Sequence, residues 1–177
     1  MMQQRKIELR DIVIIGMLAA ICVIATTIKI PYGHGAMVHL GTAAIFTIGI
    51  VFGGVYAGLA AAIGTAFFDL MMGFSPYTIW SFFIKGTAGF VVGYVSKGLW
   101  PENIVPKQAL LRSIVGMLLA ATCTLAGYII AWWQVSGSIV VAIWNIPSSL
   151  ISSTVGFVVA SIIAPKLRQV LKNNRLI

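Results

Sequence analysis

Long apolar runs, interrupted by glycine, proline and short basic clusters, set the pattern of this chain. A bilayer core of ~30 Å takes about 20 apolar residues per helix. Division at the breakers then predicts six membrane spans. The first covers 12–30 and stops at Pro31, Tyr32, Gly33, His34 and Gly35. A short second span, 40–52, ends at Gly53 and Gly54, where a glycine pair favours a tight turn over one long helix. The third covers 55–72 and closes at Gly73, Phe74, Ser75 and Pro76. The fourth, 77–95, precedes a polar loop carrying Pro101 and Pro106. The fifth covers 109–133, and the sixth, 138–164, stops at Pro165. The expected fold is an all-α integral membrane protein, a single six-helix domain over 1–177 with a short basic tail at 165–177.

Composition agrees with that pattern. Hydrophobic residues make up 59% of the 177 residues and charged residues 9%. Mean hydropathy is +0.99. A typical globular protein is roughly a quarter charged, so this composition excludes a cytosolic enzyme, a disordered tail and a secreted disulfide scaffold. The net charge of +8 does not come from one basic patch with interleaved aromatics, so nucleic acid is not an expected partner. Instead the basic residues fall between spans, where Lys and Arg mark the cytoplasmic side. With the N-terminus inside, that side holds Arg5, Lys6, Arg10, Lys97, Lys107, Arg112, Lys166, Arg168, Lys172 and Arg175. Lys29 lies outside and Lys85 lies within a span. Both termini are therefore expected in the cytoplasm, the chain being multi-pass in the cell membrane. The first apolar run is too long for a signal-peptide core and follows a charged start.

Charges inside spans are expensive, at least ~2.5–3.5 kcal/mol on insertion scales, and normally face protein or water. Asp69 near the outer end of the third span and Lys85 in the fourth are the two clear cases. Lys85 is eight residues beyond Tyr77, about 12 Å below the outer end at ~1.5 Å per residue. Two readings stand: an Asp69–Lys85 pair that fixes packing, or charges that polarise a bound polar molecule. Other polar and aromatic residues share this depth: His34 and His39 in the first outer loop, Tyr77, Trp80, Trp132, Trp133, Trp144 and Asn145. Trp132 reads best as an interfacial anchor. Asn145 needs a partner in hydrocarbon, and Pro147 removes a backbone donor beside it. Together they predict an outward-facing pocket for a small, flat, polar molecule. In the first span, Gly16, Ala19 and Ala20 form a small-residue face suited to close helix approach.

Other chemistries lack their residues. There is no Walker A pattern, no HExxH and no His–Ser dyad, so neither ATP use nor catalysis is expected in this chain. His34 and His39 have no carboxylate beside them, so no metal site is expected. Cys22 and Cys123 lie in apolar runs without CxxC spacing and read as small hydrophobes.

Six short spans with Leu40-Gly41-Thr42 after a histidine-bearing loop, Gly64-Thr65-Ala66-Phe67-Phe68-Asp69-Leu70, and Phe83-Ile84-Lys85-Gly86 resemble the S components of energy-coupling factor (ECF) vitamin transporters. The likeness covers nearly the whole chain and is greatest to the hydroxymethylpyrimidine and pyridoxine branch. It implies a substrate-binding subunit that captures a small vitamin or precursor and topples in the membrane. The implied partners are a transmembrane coupling protein and two cytosolic ATPases, which bind the ATP. It implies docking through the first span, where Gly16 stands in place of the first Ala of an Ala-x-x-x-Ala face. It also implies closure of the pocket by the first outer loop and ligand contacts from the outer ends of spans 4 to 6 and the outer loops. With the reading of the residues themselves, the expected site is His34, His39, Asp69, Tyr77, Trp80, Lys85, Trp133 and Asn145. The alternative is a stand-alone secondary transporter coupled to ions through Asp69.

Overall fold

The computed structural model describes residues 7–32, 36–100 and 109–174. Six helices and one hairpin account for most of them. The order is α1 (Leu9–Thr27), β1 (Lys29–Tyr32), β2 (Ala36–His39), α2 (Gly41–Phe52), α3 (Gly54–Met71), α4 (Thr78–Ser96), α5 (Ala109–Ser136) and α6 (Ile139–Asn173). A single 3₁₀ turn, Ser75–Tyr77, leads into α4. Five helices are long and apolar enough to cross a membrane, α2 being the exception. At 12 residues α2 is about 18 Å long, well short of a ~30 Å core.

The shortness of α2 follows from where it sits. Neighbours α1, α3, α4 and α6 all pack on it, and ten of its 12 residues are buried. It is hydrophobic all round because it is surrounded by protein. Gly53, at φ 90°, joins it to α3 in a one-residue turn. A side chain there would be strained and would also meet the Gly98 carbonyl at 2.8 Å. That turn is tied to the end of α4, since Gly54 N–H donates to Gly98 O (2.8 Å) and Val55 N–H to Leu99 O (3.1 Å). Two otherwise orphaned donors at the α3 start are thereby satisfied. Small residues let α3 and α4 approach closely; a Cβ on Gly89 would collide with Ala57 O.

Two boundaries differ from the sequence reading. The apolar pattern carries the first span to Ile30, but helix α1 ends at Thr27 and the chain turns into an antiparallel hairpin pairing Lys29 with His39 and Tyr32 with Ala36. Pro31 has a fixed φ and no N–H, which fits an edge strand and not a helix. The same pattern stops the sixth span at Pro165, yet α6 continues through it to Asn173. Pro165 costs one backbone hydrogen bond, but the turns beyond it bring Leu167 and Leu171 against the core. They also let Arg168 Nη2 donate to Ile50 O. Loop residues Pro101, Pro106 and Lys107, like Arg5, Lys6 and Arg175, lie outside the described residues.

At the end of the bundle that carries α1's start and α6's finish, two charges are buried. Asp11 is 1% exposed, accepts from Tyr56 Oη at 2.5 Å and from Glu8 N–H at 2.9 Å. Lys97 Nζ donates to Val51 O at 2.7 Å. With Arg168 on Ile50 O, two cations sit on the terminal carbonyls of α2, where the helix dipole favours positive charge. The opposite end of the bundle carries the hairpin.

Candidate binding site at the hairpin end

Beneath the hairpin lies a cavity of about 50 Å³. Its walls come from nearly every element that reaches this end. Strand β2 contributes Ala36, Met37 and His39; α3 contributes Asp69; the turn into α4 contributes Phe74 and Tyr77; α4 contributes Ser81 and Lys85. Tyr128 and Trp132 come from α5, and Ser148, Ser149 and Ser152 from α6. The hairpin is fastened over it. His39 N–H donates to Ser152 Oγ (3.3 Å), and Ser152 Oγ donates to Met37 O (3.4 Å). On the outer side Lys29 Nζ lies 4.7 Å from the Phe68 ring centroid and 4.9 Å from that of Phe74. Each is within the range of a cation–π contact.

Asp69 and Lys85 are both buried, at 4% and 3% exposure. They do not bond to each other. Lys85 Nζ donates to Thr42 Oγ1 at 3.3 Å and stands 5.3 Å from the Tyr128 ring centroid. Asp69 Oδ2 is buried without a hydrogen-bond partner. A carboxylate oxygen in that state carries a desolvation cost that a donor brought into the cavity would relieve. The ring of Tyr128 stacks on Trp132 with centroids 5.5 Å apart, and its hydroxyl shares a 2.9 Å hydrogen bond with Ser81 Oγ. Ser81 is itself placed by α4, whose backbone carbonyl at this residue accepts from Thr65 Oγ1.

His39 Nδ1 accepts from Gly41 N–H at 3.0 Å. That bond requires the neutral tautomer with its proton on Nε2. Burial, then the Lys85 and Lys29 charges, hold the ring well below its ordinary 6.5, at about 3. Gly41 has to be glycine here, since a Cβ would meet Thr26 Oγ1 and His39 Nδ1.

Of the residues expected at the site, His39, Asp69, Tyr77 and Lys85 line this one cavity. His34 lies outside the described residues. Trp80 lines a different, apolar recess between α4 and α5 together with Phe83 and Cys123. Trp133 is 48% exposed on the bundle's outer face, whereas its neighbour Trp132 is 4% exposed and faces the cavity. One helical step turns a side chain by about 100°, which separates the two. Asn145 is fully buried in α6, its backbone carbonyl accepting from Ser148 Oγ at 2.7 Å, and it is not on the cavity wall. Ser81, Tyr128 and the α6 serines were not singled out from the sequence. Their signal was the i, i+4 spacing of Ser81 with Lys85, Tyr128 with Trp132, and Ser148 with Ser152, which places each pair on one helix face. Among the described residues no three His, Cys, Asp or Glu converge as metal ligands would.

The residues expected to dock a partner separate in a similar way. Gly16 and Ala20 are exposed on α1, and nothing lies within 4 Å of a Cβ built on Gly16. Ala19 is buried, with its carbonyl 2.6 Å from a Cβ built on Gly64 of α3, so it serves internal packing.

Chemically, the cavity offers an unpaired carboxylate oxygen, an ammonium, an imidazole, several hydroxyls and a stacked aromatic pair. That set suits capture of a flat polar ring. A curated protein of Pyrococcus woesei, described as an uncharacterized protein in gap 3'region, is 28% identical over 102 residues. The match covers 58% of this chain and 62% of that relative, so the chain spans less than two thirds of the relative's length. A family model described as ECF-type riboflavin transporter, S component, matches residues 6–169. With apolar helices able to span a bilayer and a family match over nearly its whole length, this membrane protein belongs to the ECF-type riboflavin transporter S component family.

Proposed function

We propose that this chain is the substrate-binding subunit of an ECF-type importer, capturing a small water-soluble vitamin or precursor in the cavity under the hairpin. The observation that carries the reading is Asp69 Oδ2, buried and without a hydrogen-bond partner in a cavity that also holds Lys85, His39 and the Tyr128–Trp132 stack. The proposed substrate is a single aromatic ring with polar substituents, of the hydroxymethylpyrimidine or pyridoxine type. Its ring stacks on Trp132 or Tyr128, and a ring N–H, amine or hydroxyl donates to Asp69. Lys85 and His39 Nε2–H supply donors to its acceptors. The six helices form the membrane bundle with the hairpin end outside and both termini in the cytoplasm, as the distribution of basic residues supports.

Two features support docking on a coupling protein that works with two cytosolic ATPases. Gly16 and Ala20 leave a shallow strip on α1, and the apolar side chains of Ile12, Val13 and Met17 flank it at 54–64% exposure. Small residues permit close backbone approach by a partner helix. Riboflavin is a second reading, favoured by the description of the matching family model. The cavity of about 50 Å³ is far below the ~300–1,000 Å³ of pockets for drug-sized ligands, so it must widen for either molecule, and by less for the single ring.

Proteoliposomes test the proposal. With the coupling protein and ATPases present, ATP should drive accumulation of labelled hydroxymethylpyrimidine or pyridoxine, and accumulation should stop without the ATPases. Accumulation driven by an ion gradient with no ATPase present would refute the importer reading in favour of a stand-alone transporter.

A further inference from the structure

Along the seam of α5 and α6 the bundle surface opens into two apolar cavities that meet at Met117. The one nearer the chain termini is about 350 Å³ and includes Ser113 of α5, Ser161 and Arg168 of α6, and Ile50 of α2 as its floor. The second, about 450 Å³, continues toward the hairpin end past Leu118 to Leu125 and Leu150. From Ser113 to Leu125 the groove covers twelve residues of helix, about 18 Å, which exceeds the ~15 Å hydrocarbon depth of one leaflet. It is open to the bilayer side, with Leu110, Leu118 and Leu150 exposed by 69%, 57% and 50%.

The terminal end of the groove is not apolar. Arg168 sits there, with Nη2 on Ile50 O and with Nε buried and without a hydrogen-bond partner. A buried guanidinium N–H needs an acceptor, and a charged oxygen supplies the strongest hydrogen bond. Among the described residues of α5 and α6, the charges near this end are basic. Lys172 lies one turn further along α6 on the same face, while Lys166 is on the other side of that helix and Arg112 of α5 donates its Nε–H to Val95 O. A long apolar trough that ends at a cation with an unsatisfied N–H, with Lys172 one turn beyond, matches one kind of occupant: a molecule with a hydrocarbon tail and an anionic head.

We infer that the α5–α6 groove binds one anionic phospholipid, with an acyl chain lying from Ser113 past Met117 to Leu125 and the phosphate against Arg168. The inference does not depend on which solute the hairpin-end cavity takes. The lipid would complete the polar environment of the same arginine that caps α2, so it should stabilise the helix at the centre of the bundle. One Lys or Arg near an anionic lipid surface contributes ~1 kcal/mol, which is about a fivefold preference for the anionic lipid.

The test uses the full chain in detergent with dioleoyl phosphatidylglycerol or dioleoyl phosphatidylcholine added at equal mole fraction. Native mass spectrometry counts lipid retained per chain, and thermal unfolding reads the stabilisation. The expected result is one retained phosphatidylglycerol, a preference of about fivefold over phosphatidylcholine, and a larger rise in unfolding midpoint. Arg168→Met should abolish the preference. Because that substitution also removes a hydrogen bond to α2 and can impair folding, Ser161→Phe is the second variant. Ser161 is partly exposed and lines the groove, so phenylalanine fills the trough from the open side and should abolish retention while ligand binding at the hairpin end persists. Equal stabilisation by both lipids overturns the proposal, as does unchanged retention in Ser161→Phe. A dimer that buries this seam and excludes lipid also overturns it.

Discussion

Replacement of Asp69 by asparagine separates a binding role from a packing role. The substitution keeps the shape of a side chain that is 4% exposed and removes the charge from an oxygen that has no hydrogen-bond partner. Two effects on the empty protein oppose each other. Neutralising a buried carboxylate with an orphaned oxygen relieves desolvation. It also removes the attraction that Asp69 exerts on Lys85, which bonds instead to Thr42. Stability without ligand should therefore change by less than about 1 kcal/mol, within the spread of ordinary substitutions. Affinity should fall much further. A hydrogen bond to a charged group contributes about 1.5–3 kcal/mol, which corresponds to a loss of roughly 10–150-fold. Calorimetric titration of the purified variant measures the affinity, and thermal unfolding measures the stability of the same sample. An Asp69→Asn chain that binds every vitamin as the parent does would refute the reasoning. So would a variant destabilised by several kcal/mol, since that is the mark of a structural charge.

Three further outcomes follow from the geometry. His39 is neutral in the folded chain down to about pH 3, whereas unfolded histidine titrates near 6.5. The unfolded state therefore binds the extra proton first, and stability present above pH 6.5 is lost as pH falls toward 3, by at most ~1.4 kcal/mol per pH unit. Because His39 is partly exposed, solvent screening reduces this; a His39→Gln chain unfolded across the same range should show a flatter dependence. Lys29→Met removes two cation–π contacts worth about 0.5–1 kcal/mol each, so hairpin amides should exchange about 5- to 30-fold faster by mass spectrometry, without loss elsewhere. Gly16→Trp, at a position with open space around it, should leave thermal stability and vitamin binding unchanged while abolishing copurification with the coupling protein; retention of the complex would move the docking surface elsewhere.

How far the sequence could be read depends on which physical signal each feature leaves. Apolar runs and breakers are one-dimensional signals, so the helices and the Gly53 turn were legible. Pro165 was a misleading breaker because its cost is offset by contacts of Leu167, Leu171 and Arg168 that only the folded bundle supplies. Asp69 and Lys85 stood out because a charge in an apolar run is rare. Which aromatic faces inward was not legible: α5 is apolar on every side, so no polar stripe fixes its rotation and Trp132 and Trp133 look alike. The helix phase becomes readable only from pairs such as Ser81 with Lys85 and Tyr128 with Trp132. The burial of Asp11 and Lys97 left no trace either. Charges near the ends of spans are ordinarily solvated, and their partners, Tyr56 and Val51 O, are distant in the chain.

Thermal unfolding of the detergent-purified chain against hydroxymethylpyrimidine, pyridoxine, thiamin, riboflavin and pantothenate tests the central claim most directly. A ligand that binds only the folded state adds about 2.7 kcal/mol at a hundredfold excess over Kd, a rise of about 5–10 °C for a chain of this size. The account predicts that rise for a single-ring ligand, and its loss in the Asp69→Asn chain at the same concentration. No shift with any of the five, or an equal shift in both chains, would contradict it.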